Sequence, residues 1–311
     1  MCHGRSQTLK HTDTKGFPAR QKEDTIETIK AFVERHPMLT YFALTFAISS
    51  GGLLIAVGRE GLPLDARNSW IAALALFAGP SVAGPLMTGL VHGRAGLREL
   101  RARLLRWRVS ARWYAVALLT TPLLVIPILF ALSLISPVFL PDAFTTDDVV
   151  ALLLLGLMVG GIGGFSEELG CTGFAVPTVR ARHGVLTTGL IVGAMWVAWH
   201  VPVTFLSTVS PSGAVSWSLR LPPLCFYVAV LPAYRVLMVW VYDRTESLLV
   251  AMLMHTSLAA STFVVLLPPA TGVALIAYYL VLAAALWVVV GAVTVAQGGH
   301  LSRQQLRRRA A

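Results

Sequence analysis

Residues 160–174 read GGIGGFSEELGCTGF, and in them the adjacent carboxylates Glu167 and Glu168 close an uncharged run that starts at Val149. Crossing about 30 Å of hydrocarbon takes about 20 mostly apolar residues in a helix. Segment 148–168 has that length, and 169–176 (LGCTGFAV) is still largely apolar, so the helix is expected to continue to Pro177, long and tilted. Working outward, 38–57, 70–91, 113–135, 184–206, 221–241, 247–267 and 272–296 have the same character. Gly79, Pro80, Gly84 and Pro85 interrupt the second of these. Such breaks are tolerated in lipid where neighbouring helices or water satisfy the freed backbone groups.

Composition agrees with this reading. Of the 311 residues 56% are hydrophobic and 13% charged, where a soluble domain carries about 25% charged residues. The fold class is therefore all-α, a polytopic transmembrane helical bundle of about eight spans. Disorder, a collagen-like fibre and a disulfide scaffold are excluded, and Cys2, Cys171 and Cys225 are scattered without a metal-like spacing.

The net charge of +10 has a topological explanation rather than a nucleic-acid one. Seven of the Lys and Arg lie in 1–37 and seven in 92–112, followed by Arg180, Arg182, Arg244 and four in 301–311. With eight spans all of these fall on one side, while the opposite loops carry Arg59, Arg67 and Arg220 and a single arginine, Arg235, sits inside a span. The positive-inside rule then puts both termini in the cytoplasm. The chain divides into a polar tail (1–37), the first spans with a basic segment (38–112), a core (113–267), and a last span with a basic tail (268–311). No apolar core precedes residue 38, so no cleavable signal is evident. Residues 23–35 suit a short amphipathic helix. In 93–112 leucines alternate with arginines at near-helical spacing, as in a helix lying in the membrane interface.

A carboxylate at the middle of a membrane helix costs about 2.5–3.5 kcal/mol on insertion scales, so the few buried ionisable groups are informative. Besides Glu167 and Glu168 they are His200, ending GAMWVAWHVPV, and His255, within LLVAMLMHTSLAAS. Singly, each histidine reads equally well as a helix–helix hydrogen-bond partner and the acidic pair as a solvated boundary. Together they suggest one cluster around a shared, water-filled intramembrane cavity. Trp196 and His200, four apart, share a helix face. Glu167 and Glu168 are about 100° apart around their axis, so one is expected to face the reacting centre while the other binds a neighbouring helix or orients the first. The glycines at 160, 161, 163 and 164, and Gly173 further along, permit close helix approach.

A buried carboxylate can act as a general base, and two imidazoles beside it can ligate a metal or hydrogen-bond a water and a developing oxyanion. Two His and one Glu also match a catalytic zinc ligand set. No HExxH, no Ser-His-Asp order and no Gly-rich phosphate loop occurs. A proton-coupled carrier is a rival use of the same residues, but it calls for paired broken helices in symmetric halves, and no such symmetry is visible.

At these residues the sequence resembles the CPBP family of intramembrane proteases, which includes type II CAAX prenyl endopeptidases, bacteriocin-processing proteins and Abi-type proteins. The family motif EExxxR is matched by Glu167-Glu168-Leu169-Gly170-Cys171-Thr172, WxxWHxP by Trp196 to Pro202, and the stretch before the third motif by Tyr242 to Leu249, ahead of His255. The resemblance covers about 92–265. It implies an endopeptidase acting on a membrane-associated polypeptide, prenylated or bacteriocin-like, and the Ala- and Arg-rich composition points to a GC-rich genome and so to a bacterial cell membrane. Glu167 would activate water, supported by Glu168, His200 and His255, either without metal or with zinc held by Glu167, His200 and His255. Two departures stand out. Thr172 occupies the arginine position, which would leave Glu168 without a guanidinium partner. Ala259 occupies the asparagine position of HxxxN, leaving Thr256, Ser257 and Thr262 as the nearby hydroxyls. The alternative these departures support is a catalytically impaired relative that binds hydrophobic peptides or scaffolds a partner.

Overall fold

The computed structural model describes residues 27–28, 30–57, 66–207 and 217–297. Most of both basic tails, Arg59, and the loops 58–65 and 208–216 lie outside the described residues, as does the start of the helix expected at 23–35; helical backbone is present over 30–35.

Eight helices among the described residues are long and apolar enough to cross a membrane. They are α1 (Pro37–Val57), α2 (Ala66–Leu104), α3 (Ala111–Ser133), α4 (Val149–Arg180), α5 (Val185–Ser207), α6 (Trp217–Thr245), α7 (Leu248–Val265) and α8 (Gly272–Ala296). No strand occurs among the described residues; two short 3₁₀ turns, Pro137–Phe139 and Asp142–Phe144, join α3 to α4. The eight expected spans are all present, in an integral membrane protein.

Helices α6 and α7 form the centre. In their most apolar stretches 61% and 67% of residues are buried within the protein, against 22–39% for the other six. The outer helices turn Leu153, Leu154, Leu157 and Val288 outward. In water such a surface would drive aggregation, whereas a bilayer covers it at no cost. Because lipid tails are as apolar as Leu, the bundle is held by close packing and interhelical hydrogen bonds instead. Close packing joins α4 to α7. A Cβ on Gly160 would lie 2.6 Å from the Thr256 carbonyl, and one on Gly164 2.7 Å from that of Met252. Gly161, on another face, meets nothing within 4 Å. Ser49 of α1 illustrates the polar ties, donating to the Leu76 carbonyl of α2 at 2.6 Å and accepting from the Trp199 indole of α5 at 3.0 Å.

Three helices contain a π-helical turn: Cys171–Ala175 in α4, Phe226–Val230 in α6 and Ser261–Val265 at the end of α7. Each is followed within three residues by a proline, Pro177, Pro232 or Pro268. Proline lacks the N–H for the i−4 bond and its ring crowds that carbonyl, so a locally widened ladder accommodates Pro177 and Pro232 inside their helices, whereas Pro268 lies beyond the end of α7. In α4 this lets the helix run on to Arg180, which accounts for the length expected of the fourth span.

The basic segment 93–112 is only partly the interfacial helix expected. Gly93, with φ of 60°, bends α2, helix resumes to Leu104, and irregular chain follows to Ser110. Polar contacts tie it to the α6–α7 corner. Arg103 donates to the Tyr242 hydroxyl at 2.7 Å, Arg106 pairs with Glu246 at 2.7 Å, and Ser247 donates to the Arg106 carbonyl at 2.6 Å. Ser247 also caps α7, accepting from the Val250 N–H at 3.2 Å. Asp243 binds Arg180 at the end of α4. Tyr242 to Leu249 is thus a staple across one end of the bundle, and it sets the register of α7.

Candidate active site

The π turn of α4, the Trp196–His200 face of α5, the buried middle of α6 and the first half of α7 meet at one place. Glu168 is wholly buried there and bound from three sides. Arg235 of α6, also 0% exposed, makes a two-pronged pair with it, Nη1 to Oε2 at 2.8 Å and Nη2 to Oε1 at 3.0 Å. Thr172 donates its hydroxyl to Oε2. His255 Nδ1 lies 2.8 Å from Oε1. A carboxylate paired with arginine accepts hydrogen bonds, so His255 carries its proton on Nδ1 and presents Nε2 on the other side of the ring.

That Nε2 faces Glu167, at 3.9 Å from Oε1. Glu167 is 4% exposed and accepts from the Trp196 indole N–H through Oε2. The Trp196 ring in turn lies under the Arg235 guanidinium, 4.0 Å from ring centroid to Cζ, a cation–π contact. The two adjacent acids therefore differ in surroundings. Glu168 is locked to a cation and a hydrogen-bond pair, whereas Glu167 meets an indole N–H and an imidazole nitrogen. The two side chains thus face different neighbours, as their 100° separation implied.

His200 bonds through Nδ1 to the Trp196 carbonyl at 2.9 Å. A carbonyl only accepts, so the proton is on Nδ1 and Nε2 is left open. Its ring packs against Trp196, Trp199 and Tyr227, with centroids at 5.8, 4.8 and 4.5 Å. The Trp196 ring thus stands in contact with both histidines, the His255 centroid lying 5.2 Å away.

Two points differ from the sequence expectation. Glu168 does not lack a guanidinium; Arg235 provides it from α6, so the position vacated at Thr172 is compensated by a residue 67 positions from Glu168. Arg235 was visible in the sequence as the one arginine inside a span, and an intramembrane cation must find a partner, which is the signal that locates it. Secondly, the hydroxyls of Thr256, Ser257 and Thr262 are all donated to carbonyls, of Met252, Leu118 and Leu258, so none replaces the asparagine that Ala259 displaces. Among the described residues Glu167, with Tyr41, Thr45, Trp196 and Trp199, borders a void of about 10 Å³, about the room of one water. Among the described residues no three His, Cys, Asp or Glu side chains gather as a metal-holding group. His255 and His200 each keep Nε2 clear of these bonds, and no chemical step is routed through a metal.

Residues 148–261, just over a third of the chain, match the family model described as Type II CAAX prenyl endopeptidase Rce1-like. The segment contains Glu167, Glu168, His200, Arg235 and His255, and the likeness read from the motifs holds. A curated relative, CAAX prenyl protease 2 of Methanococcus maripaludis, is 26% identical over 113 residues, which is 36% of this chain. The match spans 40% of the length of that relative.

Proposed function

We propose that the chain is an intramembrane endopeptidase in which Glu167 acts as the general base for water attacking a peptide bond of a membrane-associated polypeptide, CAAX-type prenylated or similar. The family match over 148–261 supports a protease of CAAX type. The observation that carries the residue assignment is the contrast between the two acids. Glu168 is neutralised by Arg235, while Glu167 and His255 Nε2 present two acceptors 3.9 Å apart, a separation at which one water donates to both.

In this reading Glu167 takes the proton of the attacking water as its oxygen bonds the scissile carbonyl carbon. The proton passes to the leaving nitrogen as the carbon–nitrogen bond breaks. His255, oriented by Glu168 as a carboxylate orients the histidine of a hydrolytic triad, holds the water. His200 offers its open Nε2 edge to the substrate side. Arg235 and Trp196 are positioning residues: the one fixes Glu168, the other aims Glu167.

The test is cleavage of a membrane-anchored reporter peptide by purified full-length protein. Glu167→Gln keeps shape and loses the base; a general base contributes about 10²–10⁴ in rate, so product should fall by that factor. A parallel arm with chelator, followed by measured metal content, decides zinc dependence. A wild-type rate for Glu167→Gln would discard the assignment. The non-catalytic alternative is favoured by Ala259 and by the three committed hydroxyls; it requires that Glu167→Gln retain the wild-type phenotype in cells.

A further inference from the structure

A groove of about 670 Å³ runs between the start of α1, the middle of α2, the end of α4 and α5. Its rim holds Arg35, His36, His92, Arg182 and His183, all exposed, and no acidic residue lines it. Its floor is apolar, built by Met38, Val91, Val179 and Ile191. It lies at the same end of the bundle as the Arg180–Asp243 staple, where the spans emerge from the apolar zone. The floor leads inward along a seam: Met38 is one helical turn from Phe42, and Ile191 one turn from Met195, and Phe42 and Met195 both border the small void beside Glu167.

We infer that this groove is a binding site for an anionic phospholipid, its phosphate held by Arg35 and Arg182 with the histidines, and an acyl chain lying on the Met38–Ile191 floor. The charge and shape argue for this occupant together. A basic pocket between transmembrane helices near the interface attracts anionic headgroups, and five cationic or N–H-donating side chains without a carboxylate fit a phosphodiester. A soluble anion would make no use of the apolar floor. The contiguous seam makes the lipid a neighbour of the reacting centre, one turn from the void at Glu167.

The experiment uses the full-length protein reconstituted in phosphatidylcholine vesicles containing a minority of phosphatidylglycerol, extracted gently, with retained lipid counted by native mass spectrometry. The wild type should retain phosphatidylglycerol over phosphatidylcholine. Arg35→Gln with Arg182→Gln should lower that retention at least about tenfold, and Val91→Trp, which fills the floor without changing charge, should lower it too. Arg94→Gln with Arg108→Gln removes equal charge elsewhere on the basic segment and should leave it unchanged. Equal loss in this control would reduce the effect to diffuse surface charge and overturn the site. Displacement of the lipid by inorganic phosphate at the concentration of a soluble headgroup would overturn the lipid in favour of a free anion. Capture of an acidic peptide without lipid retention would overturn it in favour of a protein ligand.

Discussion

Glu168 and Arg235 are both wholly buried, and each is tolerable only because of the other. Taking two charges from water is expensive, and removing one partner leaves the other buried and unpaired, at a cost of about 3–5 kcal/mol. Arg235→Met should therefore lower stability by about that amount, measured by thermal unfolding in detergent. Glu168→Met alone should do the same, and the double variant should recover most of the loss. Activity should not recover with it, because His255 Nδ1 would have lost its carboxylate. A double variant as unstable as either single would contradict the pairing. The lesson for reading sequences lies in the same residues. The four acids and histidines stand out in an apolar chain because burial is costly for each one. Arg235 stands out for the same reason, as the one arginine inside a span, but its pairing with Glu168 does not, since EExxxR directs attention to position 172 and the guanidinium arrives from another helix. Tyr227 against His200 is likewise a contact across helices that spacing along the chain does not encode.

At the scale of helices, α4 is the element that places the site, and its glycines are not equivalent. Gly164 carries a Cβ only by pushing into the Met252 carbonyl, 2.7 Å away, and Thr256. Gly164→Ala should cost about 1–3 kcal/mol and reduce cleavage by moving Glu167 and Glu168 relative to His255. Gly161→Ala, in open space, should be neutral or stabilising by up to about 1 kcal/mol, since glycine is a poor helix former. Thermal unfolding of the two variants side by side, with cleavage of the reporter peptide, checks both. The apolar runs predict all eight helices, because a 30 Å barrier sets their length. The π turns are not in those runs. Pro177, Pro232 and Pro268 mark them once the ladder is known, but proline alone does not distinguish a π turn from a kink. The basic segment shows the limit of periodicity: leucine and arginine spacing continues through 105–110, yet the side-chain ties to Tyr242, Glu246 and Ser247 hold that stretch in irregular form.

The whole molecule makes sense only in a bilayer, with α6 and α7 shielded and the other six helices turned to lipid. Eight spans and the distribution of Lys and Arg put the staple at 242–249, the segment 94–112 and both tails on one face, which we propose is the cytoplasmic one. In a cysteine-free background, Arg108→Cys should be shielded from a membrane-impermeant thiol reagent added to intact cells, and Leu140→Cys, in the α3–α4 connection, should react. The reverse pattern would invert the orientation. Hydrolysis within this bundle rests on water reaching Glu167 between apolar helices, and the origin of the oxygen in the product reads that directly. Cleavage of a membrane-anchored peptide in ¹⁸O-water should leave one ¹⁸O in the new carboxyl terminus, and Glu167→Gln, folded and with its melting temperature retained, should form it about 10²–10⁴ times more slowly. Labelled product formed at the wild-type rate by Glu167→Gln would contradict the account.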